Sequence, residues 1–324
     1  MGDNDIQLFE NFIEKYNKTY NSTTEFLNRF YIFQHNLERI NYVNDESNNF
    51  SYRLGINGFA DLTYHEFSSM YKGYNGINYE DTNQYERHYL TILGNKKWSK
   101  YQSIDWRSEG LVSNVKDQGQ CGSCWAFSAV ATMEGAWSKS NGTMISLSEQ
   151  DLVDCVSICE GCDGGWPYMA IDWVINGSSN GTVVNNQSGI DTESSYPYMG
   201  IDESCNFNKS DVETSFRNMV RIPSGNVLYL MDALLSIGPI SVAIDAEGDF
   251  QLYESGVFES SECSQTELDH AVTAVGYGVT SKGKTYYIIK NSWGTDWGMD
   301  GYIYFSADIP NMCGIAQDAC YAVA

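Results

Sequence analysis

The first forty-four residues carry hydrophobic side chains at the spacing of amphipathic helices. In two segments they recur at three- and four-residue steps, which places them on one helix face. The first series is Ile6, Phe9, Phe12, Ile13 and Tyr16, and the second is Phe26, Phe30, Phe33, Leu37 and Ile40. Between the two series, Ser22, Thr23 and Thr24 are each able to cap a new helix. The pattern predicts two helices joined by a turn.

The pattern then changes from helical to extended. Tyr52, Leu54 and Ile56 alternate with other residues, and Gly55 and Gly58 interrupt the segment, so we expect a short extended stretch here. From about residue 73 to residue 103 no periodicity is present, which is typical of an extended linker.

The middle of the chain predicts further helices. Residues 124–139 are apolar on most sides, as expected of a central buried helix. Ser146, with Glu149 three residues later, has the spacing of a capping box for a second short helix. Residues 176–195 are rich in Gly, Ser and Asn and predict a surface loop.

After Pro239 the hydrophobic pattern becomes that of β-strands separated by Gly-rich turns. The strand-like segments are ISVAIDA, HAVTAVGYG, KTYYIIKNSW and GYIYFSAD. Because helices come first and strands afterwards in this part of the chain, the fold class is predicted to be α+β.

The charge of the chain argues against several partners. Its 324 residues include 42 Asp and Glu against 19 Lys and Arg, a net charge of −23, and 29 of the acidic residues follow residue 100. Such a chain repels phosphate backbones and anionic lipid surfaces, so we expect no nucleic-acid partner. The longest apolar run, residues 229–244, is interrupted by polar residues, so no membrane span is expected. Residues 1–20 lack signal-peptide features, so we expect a signal to be absent or already removed.

The nine cysteines indicate an oxidising environment and two separate units. All of them follow residue 120, and their odd number leaves at least one thiol outside intramolecular disulfides. Eight Asn-x-Ser/Thr sequons also favour a secretory route and glycosylation.

One cysteine has the surroundings of a nucleophile. Cys124, in the segment QGQCGSCWAF, begins the predicted central helix, where unpaired N–H groups and the helix dipole stabilise a thiolate. His270 heads a predicted strand and could exchange the proton, and Asn291 in KNSWG could orient the imidazole. This arrangement of Cys, distant His and distant Asn has the local signature of papain-type peptidases.

The chain therefore resembles the papain family of cysteine peptidases, and specifically a cathepsin L-like proenzyme. The first hundred residues carry both motifs of the family's propeptide, the longer one (E-x3-R-x3-F-x2-N-x3-I-x3-N, of the ERFNIN type) without a gap. The matching positions are Glu25, Arg29, Phe33, Asn36, Ile40 and Asn44 in one motif and Gly55, Asn57, Phe59 and Asp61 in the other.

The resemblance implies the architecture. We expect a helical inhibitory propeptide at residues 1–100, with an extended part from about residue 65 that runs through the cleft in a non-cleavable direction. A peptidase at residues 101–324 should have two subdomains, a helical left half and a β-barrel-like right half, with the active-site cleft between them. Cleavage between about Lys96 and Ser103 would release the mature chain.

The resemblance also implies the roles of individual residues. Cys124 and His270 would form a thiolate–imidazolium pair oriented by Asn291, with Gln118 and the Cys124 N–H binding the oxyanion. The substrate-binding positions are Gly164, Gly165, Trp166, Pro167, Ala243, Leu268, Asp269, Ala271, Trp293 and Asp318. The implied disulfides are Cys121–Cys162, Cys155–Cys205 and Cys263–Cys313, which leaves Cys159 and Cys320 either joined or free.

Asp318 is expected at the floor of the pocket for the second residue before the scissile bond. A carboxylate there would add a preference for Arg or Lys to an apolar preference, and the alternative is a solvent-facing acid without a role in specificity.

The same resemblance sets expectations for context. The protein would be a monomeric endopeptidase without cofactor or metal, acting on proteins and peptides in a lysosome- or vacuole-like acidic compartment or outside the cell. Its propeptide and cystatin-type proteins would be its inhibitors.

Three alternatives use the same residues. Cys121, Cys124, Cys159 and Cys162 could form a zinc site, although the 34 intervening residues exceed the usual spacing of about 15–20. Cys121 and Cys124 could be a thioredoxin-like redox pair, although a preceding βαβ unit is missing. Both leave His270 and Asn291 unexplained. A catalytically silent or inhibitory papain-fold protein is the third alternative, and the intact Cys124, His270, Asn291 and Gln118 argue against it.

Overall fold

The structure is a computed structural model that describes residues 3–76, 103–179, 182–183 and 188–324. We refer to residues 3–76 as the N-terminal unit and to residues 103–324 as the C-terminal unit. The predicted linker beyond residue 76, the predicted cleavage region up to residue 102 and part of the predicted loop at 176–195 lie outside the described residues.

The N-terminal unit contains the two predicted helices, α1 (Asp3–Lys15) and α2 (Thr23–Asn44). Ser22 caps α2, because its hydroxyl accepts a hydrogen bond from the Glu25 N–H at 3.1 Å. Strand β1 (Tyr52–Leu54) and helix α3 (Tyr64–Tyr71) follow. Phe33 and Phe9 are buried where α1 and α2 pack, so the hydrophobic periodicity identifies most of the packed faces, although Ile6 and Phe26 of the predicted series are exposed.

Three polar side chains of α2 that belong to the propeptide-like motifs hold this helix against the segment that follows it, and a fourth motif residue, Asp61, holds that segment against the loop before α2. Arg29 pairs with Glu66 at the start of α3 at 2.9 Å. Asn36 donates to the carbonyls of residues 60 and 62, and Asn44 donates to the Leu54 carbonyl at 2.7 Å. Asp61 pairs with Lys18 at 2.9 Å. The long helix is thereby tied to the loop that leads into the cleft.

The other motif residues shape the core and the contact with the C-terminal unit. Ile40 and Phe59 are buried, and the Glu25 carboxylate accepts from the Asn21 N–H beside the cap of α2. Asn57 donates to the Gln251 carbonyl at 2.9 Å. A Cβ on Gly55 would lie 2.7 Å from a carboxylate oxygen of Glu254, whose exposed side chain would have to shift to make room.

The helical half of the C-terminal unit contains α4 (Cys124–Asn141), α5 (Glu149–Cys155) and α6 (Pro167–Asn176). Helix α4 is buried along most of its length, as predicted. The capping prediction at Ser146 is wrong, since Ser148 caps α5 by accepting from the Asp151 N–H at 2.9 Å. Glu149 is instead buried and paired with Lys116 at 2.8 Å.

The sheet half carries eight strands and α7 (Val227–Ser236). The strands are β2 (Ile104–Asp105), β5 (Asn218–Ile222), β6 (Ile240–Ile244), β7 (Tyr253–Phe258), β8 (His270–Val279), β9 (Thr285–Lys290), β10 (Tyr302–Ser306) and β11 (Ala319–Val323). The order across the sheet is β1-β7-β10-β9-β8-β6-β11-β5, with β2 paired to β8. Strand β1 of the N-terminal unit thus extends the sheet of the C-terminal unit.

The region 176–195 contains a small hairpin of β3 (Ser178–Ser179) and β4 (Thr182–Val183). Around Ile190 the region is less exposed than its composition predicts. Ile190 and Asp191 are buried, because the Asp191 N–H donates to the Asp151 carboxylate at 2.9 Å and its carbonyl accepts from the Ser148 N–H. The prediction of a surface loop is therefore wrong for residues 190–192, whereas Ser194 and Ser195 are exposed as predicted. Single-turn 3-10 helices lie at Glu46–Asn48, Gly161–Asp163, Lys209–Asp211, Gly248–Leu252 and Met312–Gly314.

Three disulfides join the pairs that the resemblance implied, Cys121–Cys162, Cys155–Cys205 and Cys263–Cys313. Cys124, Cys159 and Cys320 are free and buried. Because Cys121 is bonded to Cys162, neither a four-thiolate zinc site nor a Cys121–Cys124 redox pair is formed. None of the helices that the structure describes is long and apolar enough to cross a membrane.

Candidate active site

The free thiol of Cys124 lies at the boundary between the two halves of the C-terminal unit. It is the first residue of α4, and its sulfur accepts a hydrogen bond from the Ala271 N–H of β8 at 3.4 Å. The Cys121–Cys162 bridge holds the loop before it. The thiol therefore sits at a helix N-terminus, where backbone N–H groups favour negative charge.

His270, the first residue of β8, is placed beside this thiol by the same strand. Its Nε2 lies 2.9 Å from Asn291 Oδ1, and the Ser292 N–H donates to the same oxygen at 2.8 Å. Because that oxygen is an acceptor, Nε2 carries the proton of the neutral ring and Nδ1 is left to exchange a proton. Trp293 stacks on the imidazole with ring centroids 4.5 Å apart. Within the described part of the chain, Nδ1 has no hydrogen-bond partner.

Burial sets the protonation states of this pair. Burial raises the pKa of the Cys124 thiol to about 12, although backbone hydrogen bonds from Ala271 and Gly73 oppose the shift. Burial also lowers the pKa of His270 to about 3, against the opposing effect of Asn291. At pH values between these two, thiol and imidazole are both neutral. The expected thiolate–imidazolium pair is thus disfavoured while the site is covered.

Gln118 is buried next to the thiol and its amide is fully engaged. Its Oε1 accepts from Ser292 Oγ at 2.6 Å, which fixes the orientation of the amide. Its Nε2 donates to the Cys121 carbonyl at 2.8 Å and to the Tyr71 carbonyl of the N-terminal unit at 3.1 Å. A carbonyl of the N-terminal unit therefore takes a hydrogen bond from the amide group expected to bind an oxyanion.

Residues 71–76 of the N-terminal unit, the cleft segment, cover the site. Tyr74 pairs with Gly165 as an isolated parallel bridge. The Gly165 N–H donates to the Gly73 carbonyl at 2.9 Å, and the Tyr74 N–H donates to the Asp269 carbonyl at 3.1 Å. Trp166 Nε1 donates to the Gly76 carbonyl at 2.8 Å. The cleft segment thus bonds to both walls of the cleft.

Glycines allow this close approach. A Cβ on Gly73 would lie 1.7 Å from the Gly122 carbonyl oxygen, a backbone atom that cannot rotate away. A Cβ on Gly164, whose φ is +127°, would lie 2.1 Å from Asn75 Oδ1. A Cβ on Gly165 would lie 2.7 Å from the ring of Trp125. These positions require the absence of a side chain.

Lys72 adds an ionic contact within the cleft segment. Its Nζ lies 2.6 Å from Asp269 Oδ2 and donates to the Tyr64 hydroxyl at 2.8 Å, and its side chain is buried. Asp269 also accepts from the Ala246 N–H through its other oxygen. The predicted substrate-binding residue Asp269 is therefore occupied by the N-terminal unit.

The pocket next to Cys124 is filled by Tyr74. Its apolar lining contains Ala243, Leu268 and Ala271, which pack with Tyr74, Cys124 and the half-buried Trp166 in one cluster, and Pro167 lines its far side. The predicted pocket residues do come together here.

Asp318 closes this pocket, but its surroundings differ from both sequence-based alternatives. It is buried, so it is not a solvent-facing acid. Its Oδ2 accepts from the Tyr74 hydroxyl at 2.6 Å, and its Oδ1 lies 2.8 Å from Arg221 Nη2. The carboxylate already has a guanidinium partner within the protein.

Sequence reasoning missed Arg221, Ser292 and Lys72. Arg221 is a charged residue inside the otherwise apolar segment MVRI, a signal that a buried acid must lie nearby. Ser292 and Lys72 have no comparable signal, because their partners come from distant parts of the chain.

Comparisons with known proteins agree with this geometry. Residues 101–323 match the description "Papain family cysteine protease", and residues 9–67 match "Cathepsin propeptide inhibitor domain (I29)". Cathepsin L of Sarcophaga peregrina is 40% identical over 321 residues, covering 95% of this chain and 89% of that protein. The thiol protease aleurain of Arabidopsis thaliana is 41% identical over 322 residues, 97% and 83% of the two chains. The digestive procathepsin L 3 of Tenebrio molitor larval midgut has a TM-score of 0.86 at 35% identity, covering 99% of each chain.

Proposed function

The chain belongs to the papain family of cysteine proteases and carries a cathepsin propeptide inhibitor domain in front of the protease domain, and from this premise we propose how it works as a zymogen. The proposal is that Cys124 is the nucleophile of a cysteine endopeptidase and that the N-terminal unit is its built-in inhibitor. The observation that carries it is the cleft segment, whose Gly73 lies against the loop before Cys124 while Tyr71 engages Gln118.

The reaction follows from the positions of the side chains once the cleft segment has left. His270 Nδ1 takes the proton of the Cys124 thiol, and the resulting thiolate attacks the peptide carbonyl carbon. The oxyanion is bound by Gln118 Nε2 and the Cys124 N–H. His270 then gives the proton from Nδ1 to the leaving amine as the C–N bond breaks. It next takes a proton from water, which attacks the thioester and releases the acid and the thiolate. Asn291 keeps the imidazole in the required tautomer throughout.

The direction of the cleft segment explains why it is an inhibitor. Tyr74 fills the pocket assigned to the second substrate residue before the scissile bond. Gly73, which lies against the loop before Cys124, comes before Tyr74 in the chain. A substrate residue in that pocket would precede its neighbour at Cys124. The cleft segment therefore runs in the opposite direction and does not present a peptide bond in the reacting geometry.

Acid activation is part of the proposal. Six carboxylates of the C-terminal unit accept hydrogen bonds from the N-terminal unit: Glu160, Glu247, Asp249, Glu259, Asp269 and Asp318. Hydrogen bonds to carboxylates are charge-assisted, so the contact between the units depends on the negative charge of the C-terminal unit. We infer that the boundary lies near residue 100, with residues 1–100 as propeptide and 101–324 as peptidase, and that the working compartment is acidic.

The test uses the full chain before and after exposure to acid. We expect a thiol-reactive epoxide to label Cys124 only after acid, together with the appearance of peptide hydrolysis. Cys124→Ala should abolish both, and Cys159→Ala, which removes another buried free thiol, should still be labelled at Cys124. Hydrolysis that survives in Cys124→Ala would refute the assignment. Lack of labelling and hydrolysis in the folded wild type would favour the catalytically silent alternative.

A further inference from the structure

The pocket filled by Tyr74 ends at a buried ion pair, formed by Asp318 and Arg221. The phenol ring lies against the apolar walls, and the hydroxyl reaches Asp318 Oδ2 at 2.6 Å. Tyr74 is 5% exposed, so this hydrogen bond is closed off from solvent. In a dry pocket the charge-assisted hydrogen bond is worth more than the same contact at the surface. Tyr74 therefore shows that the end of the pocket binds an uncharged hydrogen-bond donor.

The charge of Asp318 is balanced from the opposite side. Arg221 of β5 lies opposite Cys320 of β11 in the sheet register, two residues from Asp318. Its Nη2 binds Asp318 Oδ1 at 2.8 Å, and its guanidinium lies over the ring of Tyr168 at 4.0 Å. Both members of the ion pair have side chains that are 6% exposed. Sheet register and ring stacking therefore hold Arg221 in place whether or not the pocket is filled.

The ion pair decides which side chains suit the pocket. A phenol adds no charge and donates its hydroxyl to the one carboxylate oxygen that faces the pocket. A benzyl side chain has no donor and leaves that oxygen without one in a dry site, which is costly. An arginine or lysine side chain would bring a second cation to a carboxylate whose charge Arg221 already balances, leaving a net buried positive charge.

We propose that the Arg221–Asp318 pair makes this pocket selective for tyrosine over phenylalanine and against arginine and lysine in substrates. The inference rests on the proposed function and specifies its substrate class. It replaces the expectation that Asp318 adds a preference for basic residues, because the carboxylate that would supply it is already paired.

The experiment measures kcat/KM of the acid-processed enzyme on four fluorogenic peptides that differ only in the second residue before the cleaved bond. These residues are Tyr, Phe, Arg and Leu. Active sites are titrated with a thiol-reactive epoxide so that rates are compared per active enzyme. We expect the Tyr peptide to exceed the Phe peptide by about tenfold or more, the ratio that one charge-assisted hydrogen bond gives, and the Arg peptide to be poorest.

Two variants separate the ion pair from general pocket shape. Arg221→Met leaves the Asp318 carboxylate uncompensated, so the Arg peptide should gain at least about tenfold relative to Leu. The double variant Arg221→Met/Asp318→Ala removes both charges, and its Tyr-to-Phe ratio should fall to near one. If the single variant fails to fold, the double variant still tests the inference. Arg107→Met breaks the Arg107–Asp105 pair, which does not line the pocket, and should keep the wild-type order.

The outcomes distinguish this inference from the proposed function. Turnover that depends on Cys124, with the same Tyr-to-Phe ratio in wild type and double variant, overturns the inference and leaves the proposed function standing. A wild type that prefers the Arg peptide also overturns it. Absence of both epoxide titration and turnover on all four peptides refutes the proposed function, and the inference falls with it.

Discussion

Replacing Gly73 with alanine tests the cleft segment as the inhibitory element. The added Cβ would lie 1.7 Å from the Gly122 carbonyl oxygen and 2.3 Å from its carbon, so the cleft segment cannot keep its place. Neither atom belongs to a flexible side chain, and no rotamer relieves the overlap. We expect Gly73→Ala to lift the cleft segment away from Cys124 while α1 and α2 remain packed.

The size of the effect follows from the hydrogen bonds that would break. Two of them are backbone hydrogen bonds, to Gly165 and Asp269, and two more join the cleft segment to the carboxylates of Asp269 and Asp318. At about 0.5–1.5 kcal/mol for each neutral bond and about 1.5–3 for each charged one, breaking them costs about 4–9 kcal/mol. Releasing three residues of the cleft segment regains conformational entropy worth about 1–2 kcal/mol for each residue. The net change of about 1–3 kcal/mol raises the open population by about fivefold to about a hundredfold.

The assay is peptide hydrolysis by the intact full chain at neutral pH, before processing, normalised to epoxide-titratable sites after acid. Gly58→Ala is the matched control, because its Cβ would meet only the Tyr16 ring at an ordinary 3.5 Å. We expect wild type and Gly58→Ala to be latent and Gly73→Ala to be active. If Gly73→Ala is as latent as wild type and becomes fully active in acid, the cleft segment is not what blocks the site.

Three further predictions concern protonation. Because burial raises the pKa of Cys124 to about 12, alkylation of the zymogen by iodoacetamide should stay slow from about pH 5 to about pH 7.5 and accelerate at least about tenfold once the N-terminal unit is removed. Although burial opposes it, hydrogen bonds from Thr63 and Arg29 hold the pKa of Glu66 below its ordinary value, so its stabilisation is present at neutral pH and lost as pH falls through that lowered pKa. Glu66→Gln, which lacks the charge at every pH, should shift the midpoint of activation to higher pH. Burial raises the pKa of Asp151 to about 8, so the native state keeps a proton that the unfolded chain releases, and this carboxyl alone should lower the stability by up to about 1.4 kcal/mol per pH unit between about pH 4 and about pH 8. Urea unfolding at about pH 5 and about pH 7.5 should show this slope reduced in Asp151→Asn.

Controls and refuting results for these three are specific. Equal alkylation rates before and after release of the N-terminal unit would contradict the first. The exposed Glu10→Gln is the control for the second, and an equal midpoint shift in both variants would assign the effect to net charge alone. If the slope of the free energy of unfolding against pH is unchanged in Asp151→Asn, this carboxyl does not cause the pH dependence.

The features that could be predicted from the sequence are those encoded by neighbouring residues or by a regular spacing of residues. The faces of α1 and α2 follow the helical period of Phe9 and Phe33, and Ser22 caps α2 as one of three expected residues. The cysteine at the start of α4 is indicated by its flanking residues, and the strands after Pro239 by their composition.

Features that depend on distant neighbours were not predictable. The pairing of Arg221 with Asp318 is set by the register of β5 and β11, which no local pattern encodes. Ser148 rather than Ser146 caps α5, because Glu149 is buried in an ion pair with the half-buried Lys116 and cannot face the solvent as a capping residue would. The polar composition around Asp191 predicts exposure, yet its backbone completes the cap region of α5.

Strand β1 has a consequence for the life of the protein after activation. Arg53 of β1 lies opposite Ser255 of β7, and the Val257 N–H donates to the Ser51 carbonyl at 2.9 Å. When the N-terminal unit leaves, this stretch of β7 becomes an open sheet edge with unpaired N–H and C=O groups. Activation thus converts a latent molecule into one whose open sheet edge can pair with a strand of another molecule. The N-terminal unit would shield newly made chains from joining edge to edge, and the released enzyme would depend on its strong negative charge for the same protection.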